Sequence, residues 1–395
     1  MLWLLPFLLL TAPAWAEKTS KTQPEIDFSM VAGLRGGYDT NPTDGPRPRE
    51  RSAPSLVQTL SLDYNHRRDD HAYGLSLVTA NTLQDGSVAP SLFNNSLTFS
   101  YRRKLRDRWL WTATLNGLSE QTWSRRLAAA VWRNRVDYFG EGYRLFSSLE
   151  GRYAHLNERN PLVFGGFLPD GETLASATVT PGMALVRKDG EIGVSGAVGR
   201  VSSLSDFDYL GLRRSHHRMQ VNVFASLRLR GAAVEGSVSP FRADFDIPDF
   251  EPVRTLLYTG KATLPYRNVV FEAKSQRVAN DTTFPFAALN IVTEHQATAT
   301  AKLTDRFALA GYGRWKTESY QGLDLTILTR TVGLDAAYRF DGGWIGTATL
   351  AQRQISAGIV SMPSAYLVQV GFQKQLSLAD LMPQEDGSKP PSSAR

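Results

Sequence analysis

The 395-residue chain contains no cysteine, which removes disulfide scaffolds, thiolate metal sites and cysteine nucleophiles from consideration together. Past its first residues it has no run approaching the roughly 18 consecutive apolar residues from which a helical membrane span is read. Helical periodicity is nearly absent from Ile26 onward. A concentrated charge is missing too: the formal charge is +6 and the pI near 9.4, but the basic residues are scattered along the whole chain. Scattered charge gives nucleic acid no stripe to bind. Acidic polymers or lipid phosphates are the partners that such a balance suits.

What is present begins with a leader. Met1 to Ala16 reads MLWLLPFLLLTAPAWA, an apolar run closed by the small-x-small sequence Ala14-Trp15-Ala16, as a secretory signal ends. Its apolar core is about ten residues, short of the roughly 20 that a spanning helix needs, though no Lys or Arg precedes it. Cleavage is expected after Ala16, giving a signal peptide over 1–16, a polar lead-in over 17–24, one β-domain over 25–376 and a tail of disordered composition over 377–395.

Between those ends the signal is alternation of period two, in segments of about ten residues. In Arg218 to Arg230 the oily Met219, Val221, Val223, Ala225, Leu227 and Leu229 alternate with mostly wet neighbours. The same pattern recurs at Leu60, Leu62 and Tyr64, at Leu97, Phe99 and Tyr101, and at Val332, Leu334, Ala336 and Tyr338. One oily and one wet face suit either a soluble sandwich or a membrane barrel.

The connections favour the barrel. Tight turns are expected at 67–70, 104–107, 146–148, 187–190, 230–232, 266–268, 303–306 and 340–343, and longer connections around 40–53, 83–92, 122–134, 157–171, 203–213, 243–252, 280–288, 319–323 and 356–363. Long and short alternate, as extracellular loops and periplasmic turns do. The fold class expected is therefore all-β, an antiparallel transmembrane outer-membrane β-barrel of about 18 strands. Sixteen is the alternative, because Thr122 to Phe146 is ambiguous in phase and is also a candidate lumen plug. Tyr64, Tyr101, Trp109, Tyr266, Phe307, Tyr338, Phe340 and Trp344 lie near tight turns, where a periplasmic aromatic girdle belongs. With the oily residues outward, Arg102, Arg152, Arg218, Arg228, Lys261, Lys274, Lys302, Arg314, Lys316 and Arg339 line the lumen, among Asp63, Glu150, Glu235, Glu272, Glu294 and Asp335. A mixed but basic lumen favours anions, unless these charges pair across strands and merely stiffen the wall.

The opening segment Met30 to Pro42, with Tyr38-Asp39-Thr40-Asn41 at its end, followed by a second strand over Pro54 to Tyr64, resembles the opening of the beta-barrel porin 2 family. In that family an apolar strand runs into a Tyr-Asp-x-Asn turn and a short polar loop. The resemblance is sharp there and only patterned elsewhere. It implies an outer-membrane porin associated with exopolysaccharide production and export, and periplasmic export components as partners. The last strand, Ala365 to Phe372, resembles the signal read by the outer-membrane assembly machinery, although a tail follows it.

Candidate chemistry is thin. Asp69-Asp70-His71 has the residue types of a water-activating cluster but falls in a tight turn. His216 and His217 are adjacent in a strand and so face opposite ways, unable to grip one metal ion. Gly311-Tyr312-Gly313 and Gly140-Glu141-Gly142 do not open helices after strands, as phosphate loops must. No enzyme activity, cofactor or metal is expected. The expected function is a pore passing or guiding an anionic solute, with exopolysaccharide the cargo implied by resemblance. Alternatives are a general small-solute porin and a closed structural or adhesion barrel with loop-borne function.

Overall fold

The computed structural model describes residues 25–42, 52–84, 91–122, 125–158, 171–205, 212–284, 286–358 and 360–377. The expected leader, the lead-in and the tail beyond Ser377 lie outside them.

Alternation is realised as β1 (Glu25–Asp39), β2 (Ala53–Arg67), β3 (His71–Gln84), β4 (Leu92–Arg106), β5 (Trp109–Gln121), β6 (Arg125–Phe139), β7 (Tyr143–Glu158), β8 (Glu172–Arg187) and β9 (Gly190–Ser203). The second half continues with β10 (His216–Leu229), β11 (Ala232–Phe245), β12 (Val253–Tyr266), β13 (Val269–Asn280), β14 (Asn290–Lys302), β15 (Phe307–Tyr320), β16 (Leu325–Arg339), β17 (Trp344–Ala357), the two-residue β18 (Val360–Ser361) and β19 (Ala365–Ser377). β18 only bridges back onto β17, so the staves number eighteen. Each pairs antiparallel with its neighbours in sequence, and β19 returns to β1, from Ser29 opposite Ser377 to Asp39 opposite Leu367. The result is a closed antiparallel barrel of eighteen strands. Closure satisfies the hydrogen-bonding edge that an open sheet would leave bare.

The outer surface is oily by parity. On β10, Met219, Val221, Val223, Leu227 and Leu229 are 43–53% exposed, and their register partners on β9, such as Val198 and Val194, are exposed as well. Leu, Val and Phe side chains in this condition continue around the wall. A soluble monomer rarely carries such a surface; a wall facing hydrocarbon requires it.

Seven of the eight expected tight turns coincide with a break between successive strands, the one at 104–107 only at its last residue, Asp107. The eighth does not. Phe146-Ser147-Ser148 lies inside β7, and the turn is Gly140-Glu141-Gly142, where Gly142 takes φ +77°, a left-handed conformation that glycine adopts without a Cβ penalty. The expected long connection over 122–134 is likewise corrected: Arg125–Phe139 is the regular strand β6, paired with β5 and β7 along its whole length. Ala128-Ala129-Ala130 carries no polarity contrast, so the strand's alternation is invisible over its first half. That stretch is wall, and holds no plug.

One hairpin departs from the cylinder. The β12–β13 ladder stops at Tyr258 opposite Arg277, although both strands run on towards the loop rim. Ala279 and Ile291 have the parity of outward residues such as Phe271 and His295, yet Ile291 is 1% exposed and both pack against Phe241, Ala243, Val253 and Leu257, which face inward from β11 and β12. Only an inward lean of the β13–β14 tip puts its outer face on the inner wall of β11 and β12.

Candidate functional site

The leaning tip carries residues 281–289, among which Asp281, Thr282, Thr283, Phe284, Ala287, Ala288 and Leu289 are all buried. A buried segment without regular structure must find partners for its polar groups elsewhere. This one finds them on distant staves. Asp281 takes Arg152 Nη1 of β7 at 3.1 Å on one carboxylate oxygen and Arg218 Nη2 of β10 at 2.5 Å on the other. The Arg218 Nε also donates to His216 Nε2 at 2.8 Å, and His216 Nδ1 bonds the Arg214 carbonyl at 2.7 Å. Burial pushes the Asp281 carboxyl up, but Arg218, with His216, Arg152 and Arg125 behind it, outweighs burial and holds it below the usual carboxylate range.

A second staple lies beside the first. At the end of β7 the Glu158 carboxylate accepts from the Thr282 hydroxyl and, at 3.1 Å, from the Thr283 amide, while the Glu158 amide donates to Thr283 Oγ1 at 2.9 Å. A third comes from the connection before β10: Arg214, 3% exposed, donates to the carbonyls of Ala287 at 3.1 Å and Phe284 at 3.2 Å and to Glu172 at 3.3 Å. Phe284 packs on Tyr320 with ring centroids 4.6 Å apart, in a cluster with Ala287 and Ile327. The tip is also clipped to the next connection, where Ala288 and Leu289 exchange backbone bonds with Gln321 at 2.8 Å. Gly322, at φ +94°, lets the Phe286 carbonyl approach to where a Cβ would meet it at 2.9 Å. Strands β7 and β13 are six staves apart, so these bonds cross the lumen. They also fix which face of the wall is inside.

On that basis all ten sequence-named basic residues, from Arg102 to Arg339, stand on the face opposite the exposed apolar ones. Several meet carboxylates: Arg152 and Arg218 on Asp281, Arg314 on Glu294 at 2.8 Å, Lys316 on Glu318 at 2.9 Å and Lys302 on Asp305 at 3.0 Å. Lys261 and Lys274 are register partners on β12 and β13. Lys261 also stands opposite Glu235 on β11, and Lys274 opposite Gln296 on β14. Outside, the eight sequence-named aromatics all stand near the turn rim. Trp109 stacks near Tyr138 at 5.0 Å, Tyr101 near Trp111 at 5.5 Å, and Tyr338, Phe340 and Phe372 follow one another at 4.8 and 6.2 Å. Tyr73, Trp111, Tyr138, Tyr143 and Phe372 extend the belt beyond the sequence-named set.

The remaining candidates are placed simply. Asp70 and His71 bond each other at 2.7 Å at the β2–β3 turn. His216 is buried at the latch, whereas His217 faces outward beside Arg200. Asp39 and Asn41 form a local turn, the Asn41 amide donating to Asp39 Oδ1 at 2.9 Å, and Arg353 of β17 reaches both, so the Tyr-Asp-x-Asn segment fastens the barrel's closing seam. The latch residues Asp281, Glu158, Glu172 and Arg214 escape sequence reasoning. Their one signal is composition: Phe284-Pro285-Phe286-Ala287-Ala288 is too oily for an exposed loop.

No family model matches the chain, and no curated protein does. Solved structures similar to it are bacterial porins. OccK2 (OpdF) of Pseudomonas aeruginosa, also solved in complex with glucuronate, is 10% identical over 90% of this chain and 98% of its own, with a TM-score of 0.49. A BenF-like porin from Pseudomonas fluorescens is 11% identical over 90% of this chain and 99% of its own, at 0.48. OccAB3 of Acinetobacter baumannii is 10% identical over 89% and 99%, at 0.46.

Proposed function

We propose that this barrel is an outer-membrane channel for small anionic solutes, with its loop rim outside the cell, its turn rim in the periplasm, and its lumen narrowed by the β13–β14 tip. The exposed apolar wall and the aromatic belt at the turn rim support the membrane placement, because both match hydrocarbon and headgroup depths. The observation that carries the solute class is the inward tip, pinned from β7 and β10. A fixed constriction suits small solutes and disfavours threading of a polymer, so the small-solute reading stands ahead of exopolysaccharide guidance. The ten basic residues on the inward face, Lys261 and Lys274 side by side among them, support anion preference, since rings of Lys and Arg favour anions.

Reversal potential across a planar bilayer under a salt gradient tests this. Anion preference is expected in the parent, with a shift towards cations in Lys261→Glu/Lys274→Glu. Selectivity unmoved by that double reversal would refute the assignment.

A further inference from the structure

On the outer wall near the loop rim, a groove of about 490 Å³ crosses β3 to β7. Its floor is Gly117, Ala128 and Ala130, which share outward parity with Leu115 and Trp132. Its ridges are Leu97 and Tyr153, 48% and 56% exposed. The space at the floor is open: a Cβ on Gly117 would meet only the Leu97 carbonyl, at 4.0 Å. Towards mid-membrane, Trp132 lies over Gly151, whose absent Cβ would sit 2.2 Å from the indole. Towards the loop rim the lining turns polar at Asn95, Ser119 and His155, the last bonded to Thr173 at 3.1 Å. Two residues beyond Ala128 on the same face of β6, Arg126 is exposed and forms no ion pair with any described residue.

We propose that this groove holds one acyl chain of an anionic outer-leaflet lipid, with the lipid phosphate at Arg126. The inference rests on the outer-membrane reading above and adds a site which that reading does not require. An apolar trough ending in a cation reproduces the layout of such a lipid, hydrocarbon below and phosphate at the interface. Arg126, exposed beside the apolar trough, brings a positive charge that an anionic headgroup matches and a neutral one does not.

The test uses the full-length barrel in phosphatidylcholine vesicles containing a few per cent of phosphatidylglycerol with a photoactivatable acyl chain. Cross-linked peptides are mapped, and membrane insertion is scored separately by heat-dependent gel mobility. Labelling is expected to concentrate on β5, β6 and β7. Filling the floor with Gly117→Leu/Ala130→Leu, both outward and unobstructed, should abolish that concentration. Arg126→Ala should lower it roughly fivefold and leave labelling by a phosphatidylcholine probe unchanged. Uniform labelling around an inserted barrel, indifference to the filled floor, or cross-links between barrels through the groove would each overturn the proposal. Failure to insert would instead bring down the membrane reading on which it rests.

Discussion

Replacing Asp281 by Asn removes the charge that two arginines share across the lumen. The carboxylate is 7% exposed, and Arg152 and Arg218 keep 28% and 23% of their side-chain surface open. Each charge-assisted hydrogen bond contributes about 1.5–3 kcal/mol. Because water can re-solvate both arginines in part, the sum falls towards the lower end, about 3 kcal/mol. At 1.36 kcal/mol per decade that raises the population of an unlatched tip by roughly two orders of magnitude. The Glu158 and Arg214 staples remain, so the single variant should show brief openings to higher conductance in single-channel records. Asp281→Asn/Glu158→Gln should hold the larger conductance for most of the recording, with some departure from additivity because both staples anchor one segment. If the double variant folds, as judged by heat-dependent gel mobility, yet conducts with the parent's amplitude and noise, the tip does not set the lumen's width and the reasoning fails.

Two further outcomes follow from the same contacts. The absence of native cysteine allows Glu158→Cys/Thr283→Cys to report directly: oxidation should join β7 to the tip and leave conductance at the parent value, and a pair that stays reduced would place the tip elsewhere. For pH, the Asp281 carboxyl is held below its ordinary value of 3.8. The stabilisation that Asp281 contributes to the latch is then complete above that value and lost only as pH falls through the lower, folded one. Conductance recorded from pH 8 to 5 should show no step that depends on Asp281, and a step within that window that disappears in Asp281→Asn would contradict the assignment.

The wall was legible in the sequence because a strand with lipid on one side and water on the other must alternate, and most of β10 and the second half of β16 do so. Legibility failed where contrast failed. Ala128 to Ala130 on β6 offers no oily-versus-wet distinction, and the adjoining Gly140-Glu141-Gly142 invites comparison with a nucleotide loop when its glycines serve a tight turn. The latch was illegible for another reason. Nothing local tells Asp281 that Arg152 and Arg218 await it, since their meeting depends on where β7, β10 and β13 stand around a closed ring. The tip's apolar composition announces that it must be covered, but not by what.

Closure of β1 against β19 has a consequence for how the molecule comes into being. Met30 cannot meet Leu376, nor Tyr38 meet Val368, until the whole chain has been made, so the seam is the contact with the greatest sequence separation and the largest loop-closure entropy. Until it forms, the growing sheet has two bare edges, each able to recruit a foreign strand. Asp39, Asn41 and Arg353 stand at the loop-rim end of that seam, where their bonds can form only once the ring is shut. They act as a clasp on a finished object and contribute nothing to the search that finishes it.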